Sequence, residues 1–538
     1  MATEFSFRTR KDALESFKKD VFDFLIIGGG ITGAAVAHDA ALRGLKVALV
    51  EKSDFAYGTS SRSSKLIHGG LRYLENMEFG LVFEALSERD YLLKTAPTMV
   101  KPLPFYLPIY SDNKRGPLIL RLGLSLYDLL ALFKTPGRHK KLSSRELREM
   151  IPFLRSEGLV CGFSYFDASM WDDVLVVKTL RAAQKAGAMV ANYVEAIEPL
   201  WETSGCEDSA RQIRGFCVRD AEAGCLMNIR AKRVIVCAGP WTDKIGAMLS
   251  SGANGGWRNW LSPSKGVHIL FDLKKLPVPG AVVMDQKEDG RIAFAIPRPD
   301  FGAGVTIVGT TDGPSPSDPD QAAVEAHEVE YLMQLVRSYF GKLDLGYRDI
   351  ISSYVGVRPL AAEVSKGDDA EKTVLQKVSR EHHIAEGPGG SVIVAGGKYT
   401  THRTMAEEIV DFTLKLENLS LPPKTSTPLE PRYIASELDG RTAADDGLPG
   451  FPQLEAQLRY SVRNEMVMHL EDFYFRRVPL YLARADHGVP WAERLAYVLA
   501  DELGSARDGE PRVDVLAEVE RLKATVAQCE RWRKKDLL

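Results

Sequence analysis

Gly28, Gly30 and Gly33 follow directly on the apolar run Phe24-Leu25-Ile26-Ile27, and Glu51 closes the next apolar run, Val47-Ala48-Leu49-Val50. Strand, tight turn, helix, strand and acid thus fall within about 30 residues, the order a dinucleotide-binding unit requires. The first glycine allows the sharp turn. The second lets backbone N–H groups approach a pyrophosphate, and the third lets helix and strand pack closely. The positive end of the helix dipole then faces the phosphates. A carboxylate at Glu51 accepts hydrogen bonds from ribose hydroxyls and disfavours a 2′-phosphate. The alternative, a glycine turn with a purely structural role, fits the strand, helix and acid around it less well. By itself the unit suits NAD or FAD.

Two later runs repeat the strand-to-glycine ending. Arg233-Val234-Ile235-Val236-Cys237 meets Ala238-Gly239-Pro240-Trp241, and Ser391-Val392-Ile393-Val394-Ala395 meets Gly396-Gly397-Lys398. Such strands can lie in one sheet with their carboxyl ends on a common ligand. Between them, Ser262 to Thr311 alternates apolar and polar residues (Val267, Ile269, Phe271; Ile292, Phe294, Ile296), the pattern of an antiparallel sheet. This predicts an α/β fold: a dinucleotide-binding (Rossmann) domain interleaved with an α+β antiparallel sheet placed to cover a substrate, and a C-terminal helical domain. The expected division is an N-terminal extension over 1–20, a discontinuous cofactor domain over 21–418 enclosing substrate-domain segments around 80–230 and 262–390, and a helical cap over 419–538. Leu419 to Pro452 reads as a linker and Glu363 to Asp369 as a charged loop.

A chain of 538 residues exceeds one ordinary core. Its formal charge of -3 leaves no dominant basic field for nucleic acid. The six cysteines show no C-x-x-C spacing, as expected of inert thiols in a reducing, cytoplasmic setting, and no metal site is expected. No secretory signal and no spanning helix are expected. Leu118, Ile119, Leu122, Leu126, Leu129, Leu130 and Phe133 recur at helical spacing opposite Arg121, Ser125 and Asp128, ahead of Lys134, Arg138, His139, Lys140 and Lys141. This amphipathic stretch fits a helix docked on the protein's own core, or one lying in a membrane interface among anionic headgroups.

The segment Thr59-Ser60-Ser61-Arg62-Ser63-Ser64-Lys65-Leu66-Ile67-His68-Gly69-Gly70-Leu71-Arg72-Tyr73-Leu74-Glu75 interleaves hydroxyls, glycines and cations. Hydroxyls and backbone N–H groups suit a pyrophosphate and ribityl chain, and a glycine pair leaves space for a flat ring. With Asp54 and Gly58 ahead of it, this segment resembles the signature of the FAD-dependent glycerol-3-phosphate dehydrogenases and the related glycerophosphate oxidases. The resemblance continues at Cys237–Trp241, Val308-Gly309-Thr310-Thr311-Asp312, Gly356-Val357-Arg358-Pro359-Leu360 and Gly396-Gly397-Lys398-Tyr399-Thr400-Thr401. It reaches Glu471-Asp472-Phe473-Tyr474-Phe475-Arg476-Arg477 less sharply.

That resemblance implies a glutathione-reductase-like FAD (Rossmann) domain with a substrate domain, and oxidation of sn-glycerol 3-phosphate to dihydroxyacetone phosphate, with hydride passing to flavin N5 and electrons to membrane quinone. The enzyme would sit peripherally on the inner face of the cytoplasmic membrane. Cofactor contacts are implied for Gly28, Gly30, Thr32, Gly33, Glu51, Lys52, Thr59, Ser60, Ser61, Lys65, Leu66, His68, Gly69, Gly70, Val194, Ala238, Gly239, Trp241, Arg358, Gly397, Lys398, Thr400 and Thr401. Arg72, Tyr73, Arg380 and Thr311 are implied in substrate binding, with Arg72 and Arg380 on the phosphate. Arg358 and Lys398 are implied beside the ring and the reacting carbon.

Guanidinium and ammonium groups suit those roles chemically. The unperturbed imidazole of a histidine can take a proton near neutral pH, which makes His68 the candidate base; alternatively it hydrogen-bonds the flavin or orients Arg358. Thr400 and Thr401 are N-cap residue types, and a helix N-terminus with an ammonium stabilises the anionic reduced ring. Where the family has Tyr after Thr-Thr, this chain has His402. The short joint between Leu360 and the Ser391 strand favours a dehydrogenase over an oxidase releasing hydrogen peroxide. A flavin-binding scaffold without turnover fits the cation set poorly. The oligomeric state stays open, a homodimer included.

Overall fold

The computed structural model describes residues 4–74, 77–113, 116–132, 136–202, 211–251, 256–285, 291–362, 382–423, 429, 451–504 and 513–534. The linker over 424–450 apart from Leu429, the charged loop beyond Ala362, and Arg380 lie outside these residues.

The strands that end in glycine turns stand side by side. Val392–Gly396, Cys225–Val236, Val21–Ile27, Val47–Val50 and Met189–Ala191 pair in that order, all parallel. The apolar runs are continuous rather than alternating because both faces of this sheet are covered. Ile31–Leu42, Asp172–Lys185 and His402–Leu416 pack on one face, with Ala34, Val36, Ala37, Ala40, Val176, Leu180 and Ile409 buried between them. The other face holds Leu25, Ala48, Val234 and Phe216. An antiparallel hairpin, Val194–Glu202 with Gln212–Asp220, extends the long strand Cys225–Val236.

The N-terminal residues are no loose extension. Phe7–Lys19 is a helix capped by Ser6, with Ala13 and Phe17 buried on the hairpin side. Phe5 is fully buried, stacks on Phe55 and exchanges backbone hydrogen bonds with Arg463 and Met466.

Among the described residues a second, mostly antiparallel sheet takes in Ser264–Asp272, Ala281–Asp285, Ile292–Arg298 and Val305–Gly309, as the alternation predicts. It also gathers Val100–Tyr110, Leu159–Met170 and the short strand Leu66–Ile67, while Ile350–Arg358 pairs with Ser264–Asp272. The apolar faces of Val267, Ile269 and Phe271 meet the helix Ala326–Phe340.

Helices Phe451–Asn464, Leu470–Arg476, Ala492–Gly504 and Val515–Cys529 form the C-terminal unit. Its junction with the first sheet is ionic and dry. Asp54 accepts from Arg476 Nε at 2.5 Å and from Arg477 Nη2 at 2.9 Å, and Tyr193 donates to Asp472 at 2.5 Å. Lys178 donates to Glu465 at 3.0 Å. Asp54, Arg477, Glu465 and Lys178 are all buried, so losing one partner would strand a charge without water. Cys161, Cys217, Cys225, Cys237 and Cys529 are free thiols.

His469 belongs to the same junction. Its Nδ1 lies 2.8 Å from Glu518 and its Nε2 3.0 Å from Glu222, in the turn between the strands Gln212–Asp220 and Cys225–Val236. Burial opposes its charge, but these two carboxylates outweigh burial and lift its pKa from 6.5 to about 10. A folded-state pKa above the unfolded one adds stability that is complete below pH 6.5 and is lost as pH rises toward 10. The thermal midpoint of the native protein should therefore fall more steeply between these pH values than that of His469→Gln. Parallel slopes would exclude a charged His469.

Candidate functional site

A groove runs across the carboxyl ends of the first sheet, with an empty volume of about 1300 Å³ including its open mouth. Glu51, Lys52, Val194 and Ala196 wall one end. Gly28, Gly30, Thr32, Ala238, Gly239 and Trp241 lie along its middle, and Gly396, Gly397, Lys398, Tyr399 and Pro359 close the other end. It crosses the ends of four adjacent strands, Val392–Gly396, Cys225–Val236, Val21–Ile27 and Val47–Val50, and continues past them onto the start of Val194–Glu202, an elongated shape that suits an extended dinucleotide.

The glycine turn is tight because the backbone leaves no space for side chains. Gly28 has φ +113°, and a Cβ on it would lie 2.4 Å from the Cys237 carbonyl oxygen. A Cβ on Gly33 would lie 2.0 Å from the Gly28 carbonyl oxygen. Gly33 therefore sits behind the groove and allows the helix Ile31–Leu42 to point its N-terminus into it. Ser60 Oγ accepts the Ile31 N–H at 3.0 Å. The other first-turn donors of the helix have no partner within it and suit an anion.

Glu51 is half-buried at the groove wall. Its Oε2 accepts the Gly29 N–H at 2.7 Å and its Oε1 the Ser53 N–H at 3.0 Å. Burial pushes its carboxyl pKa up, and the two N–H groups work against that shift. One lone pair on each oxygen is so engaged, and the others can take ribose hydroxyls.

The polar segment 59–65 is largely spent on ties between sheets. Thr59 donates to the Val357 carbonyl at 2.5 Å, and Ser63 Oγ to Asp172 at 2.8 Å. Ser64 Oγ is 2.9 Å from His268 Nε2, and Tyr354 donates to the Ser63 carbonyl at 2.8 Å. Gly58, Thr59, Ser60 and Ser63 line the groove, whereas Ser61 and Lys65 do not. Lys65 is buried and pairs with Asp172 and the Ser61 carbonyl. Its cation is used inside the protein.

Leu66 is buried in the second sheet. Gly69 donates its N–H to Tyr127 Oη at 2.9 Å, and a Cβ there would strike Leu86 and Tyr127 at 2.5 Å. This glycine is demanded by packing behind it rather than by a ring in front, and Gly70 is likewise buried, with φ +72°. His68 follows the strand Leu66–Ile67 and does not line the groove. Lys65 and Tyr399 both bond Asp172, so the segment leading to His68 and the turn carrying Lys398 are held at the same end of the groove. Arg72 and Tyr73 sit in the short turn Leu71–Leu74, and their side chains lie outside the described residues, as does Arg380.

Arg358 ends the strand Ile350–Arg358 beside the groove-lining Pro359. Its guanidinium donates to Ser264 Oγ at 3.1 Å, Thr310 Oγ1 at 3.0 Å, the Thr311 carbonyl at 3.0 Å and Asp312 at 3.1 Å. Thr311 is buried. Its hydroxyl accepts the Val267 N–H at 2.9 Å and donates to Glu328 at 3.3 Å, which ties it to the second sheet and its covering helix. Thr400 and Thr401 are buried, and Thr401 occupies the N-cap of His402–Leu416 without a side-chain cap bond. His402 is buried with Nδ1 2.8 Å from the Tyr399 carbonyl, and burial lowers its pKa to about 4. That explains how the departure from the family pattern is accommodated: the imidazole packs inward and neutral.

His268 carries no signal in the sequence: it falls between Val267 and Ile269, on the opposite face of a strand whose pattern shows only in its apolar side. It is buried, stacks on Tyr354 with ring centroids 4.6 Å apart, and its Nδ1 has no hydrogen-bond partner among the described residues. Burial, then Arg358 and Lys65, lower its pKa to about 3, so it is a neutral imidazole.

Residues 23–411 match the family model described as FAD dependent oxidoreductase, and 433–509 match the C-terminal domain of alpha-glycerophosphate oxidase. The aerobic glycerol-3-phosphate dehydrogenase of Staphylococcus saprophyticus is 34% identical over 91% of this chain and 93% of its own. The chain belongs to the FAD-dependent glycerol-3-phosphate dehydrogenase family. The Staphylococcus aureus relative of the same description is 37% identical over 76% of this chain and 69% of its own. The solved structure of the glycerol-3-phosphate dehydrogenase from Bacillus halodurans complexed with FAD superposes with a TM-score of 0.75, at 26% identity over 97% of this chain and 98% of that one. The L-alpha-glycerophosphate oxidase of Mycoplasma pneumoniae shares the fold, with a TM-score of 0.53 and 18% identity over 76% of this chain and 97% of its own.

The protein is thus an FAD-dependent oxidoreductase, and the groove suits that cofactor: a helix N-terminus at its middle, a carboxylate at the ribose end and an ammonium at the other. Forcing a methyl group into the Gly33 contact costs about 1–3 kcal/mol. Gly33→Ala should therefore weaken FAD binding by about ten- to a hundredfold, read from the flavin absorbance retained after dialysis. Full retention would place the pyrophosphate elsewhere.

Proposed function

We propose that this protein oxidises sn-glycerol 3-phosphate to dihydroxyacetone phosphate and passes the electrons to membrane quinone. The observation that carries the first part is the meeting of Lys398 and the Arg358–Pro359 corner at one end of the cofactor groove. There a phosphoester and its secondary alcohol can be held between the substrate sheet and the ring position. FAD, when bound, supplies the hydride acceptor. Lys398 stabilises negative charge on the groove side, where the helix His402–Leu416 also directs its N-terminus. Arg358, fixed by its bonds to the strand ends and to Asp312, adds a rigid positive charge at that end of the groove, and an anionic substrate would have to compete with Asp312 for it. Arg72, Tyr73 and Arg380 remain proposed substrate contacts from the family pattern.

The alcohol proton needs a base. His68 is the family-based choice; His268, held at a pKa of about 3 by burial and by Arg358 and Lys65, is the weaker proton acceptor and the comparison. General-base catalysis is worth about 10²–10⁴ in rate. His68→Gln and His268→Gln should separate the two, the base being the one whose loss lowers saturating turnover by about a hundredfold or more. A loss under threefold in both would exclude an imidazole base. Anaerobic glycerol 3-phosphate should bleach the flavin of the native protein. In Lys398→Met that reduction should slow by about a hundredfold or more. A native spectrum unchanged by this substrate would overturn the assignment.

The electron acceptor is argued from the surface. In the helix Pro117–Leu130, Leu124 and Tyr127 face the core while Leu118, Ile119 and Leu122 are 70%, 64% and 64% exposed. Met77, Phe79 and Phe83 are exposed on the neighbouring segment. With Leu129 and Leu132 exposed as well, the helix does not bury its whole apolar stripe on its own protein. No helix among the described residues is long and apolar enough to cross a membrane. An apolar row with Arg121, Arg138, Lys140 and Lys141 nearby fits shallow insertion into an anionic leaflet, on the inner face of the cytoplasmic membrane, where quinone is within reach. The protein should float with anionic liposomes, and Leu118→Ser/Ile119→Ser/Leu122→Ser should stay in the soluble fraction while reducing a water-soluble dye normally. Peroxide release matching the rate of substrate oxidation would favour an oxidase instead.

A further inference from the structure

In the first sheet the strand Val21–Ile27 lies between Val47–Val50 and Cys225–Val236. Lys52 follows one flanking strand and Trp241 follows the other, so each stands on its own side of the glycine turn. Yet the two side chains meet. Lys52 Nζ lies 4.1 Å from the centroid of the Trp241 ring. Both are held by one carboxylate: Asp320 Oδ2 is 2.6 Å from Lys52 Nζ and accepts the Trp241 Nε1–H at 3.2 Å. Asp320 comes from neither flanking strand. It sits in the short turn Pro319–Gln321, between the second sheet and its covering helix Ala326–Phe340. Tyr57 extends the contact, with its ring 6.3 Å from Trp241 and 5.9 Å from Lys52 Nζ. Below, a Cβ on Gly58 would lie 2.8 Å from the Trp241 ring, so the indole is seated directly on the segment that enters the groove.

We propose that Lys52, Trp241 and Asp320 form an arch over the pyrophosphate position, and that Asp320 is the keystone that sets how fast FAD leaves. The strand order places the arch above Gly28 and Gly30, where the helix N-terminus awaits the phosphates. Lys52 and Trp241 line the groove themselves. The arch is ionic and cation–π in nature, and its Lys52 and Asp320 side chains keep 26% and 31% exposure. Water can therefore reach and open it without unfolding either sheet, as an exchange gate requires and a buried clamp would not allow. Because Asp320 belongs to the substrate side of the molecule, the arch also ties cofactor retention to the docking of the second sheet on the first.

The inference rests on FAD occupying this groove, and the test separates the two. Holoenzyme is diluted, and the fluorescence of freed FAD is followed in native protein, Asp320→Ala and Asp320→Glu. At about 20 mM salt, Asp320→Ala should release FAD about tenfold faster than native, while Asp320→Glu stays within about threefold. Raising salt to about 500 mM should speed native release toward the variant's rate and leave Asp320→Ala nearly unchanged. Release from Asp320→Ala within about twofold of native at low salt, or equal salt dependence in both, overturns the arch while leaving the FAD assignment intact. A native protein without flavin overturns both.

Discussion

The contact between the Gly28–Gly33 turn and the end of the strand Cys225–Val236 is the constraint on which the rest depends. A carbonyl oxygen occupies the place of a side chain at both Gly28 and Gly33. That closeness brings the start of the helix Ile31–Leu42 level with the strand ends and aims its unpaired N–H groups into the groove. Every other cofactor-facing element is positioned relative to this turn. Ala56 donates its N–H to the Gly29 carbonyl at 3.1 Å, and Glu51 accepts from the Gly29 N–H. The loop after the second strand is thereby moulded onto the glycines. A single methyl group would separate helix, loop and neighbouring strand at once, because close-packed backbone has no rotamer with which to yield.

The same loop explains why the C-terminal helices belong to the cofactor site although they do not line it. Asp54, three residues beyond Glu51, is gripped by Arg476 and Arg477 in a dry interface. These two arginines and Asp472 sit on or next to one short helix, so its docking fixes the loop from behind. The segment 59–65 plays the corresponding part toward the second sheet, through Val357, Asp172 and His268. Two sheets and a helical unit are thus joined by hydrogen bonds that converge on some fifteen residues of chain. Hydroxyls and carboxylates do this work better than apolar side chains because each bond selects one partner and one direction, whereas apolar packing is tolerant of slippage.

At the far end of the groove the chemistry is electrostatic. Lys398 and a helix N-terminus approach from the first sheet, and Arg358 approaches from the second. Neither sheet holds both cations. The buried Lys65–Asp172 pair and the half-buried Tyr399, which donates to the Asp172 carbonyl, hold the two halves in register at that point. The exposed row on Pro117–Leu130 is carried by a different edge of the second sheet, through Tyr127 against Asp167 on the strand Leu159–Met170.

By itself the sequence determined the parallel cofactor sheet, its glycine turns, the antiparallel partner sheet, the helical C-terminus and the groove residues Gly28, Gly30, Glu51, Ala238, Gly239, Gly397 and Lys398. All of these are signalled by neighbours in the chain: apolar runs of fixed period, a glycine at a fixed offset, an acid at a strand end. Only the tertiary structure decided that Lys65 spends its charge on Asp172, that Gly69 answers to Tyr127 and Leu86, that Thr311 serves Glu328, and that His268 stands beside Arg358. A charge, a hydroxyl or an imidazole reads the same in the chain whether its partner is a ligand or another side chain. Which partner it finds depends on residues a hundred or more positions away, brought close only when the sheets close on one another.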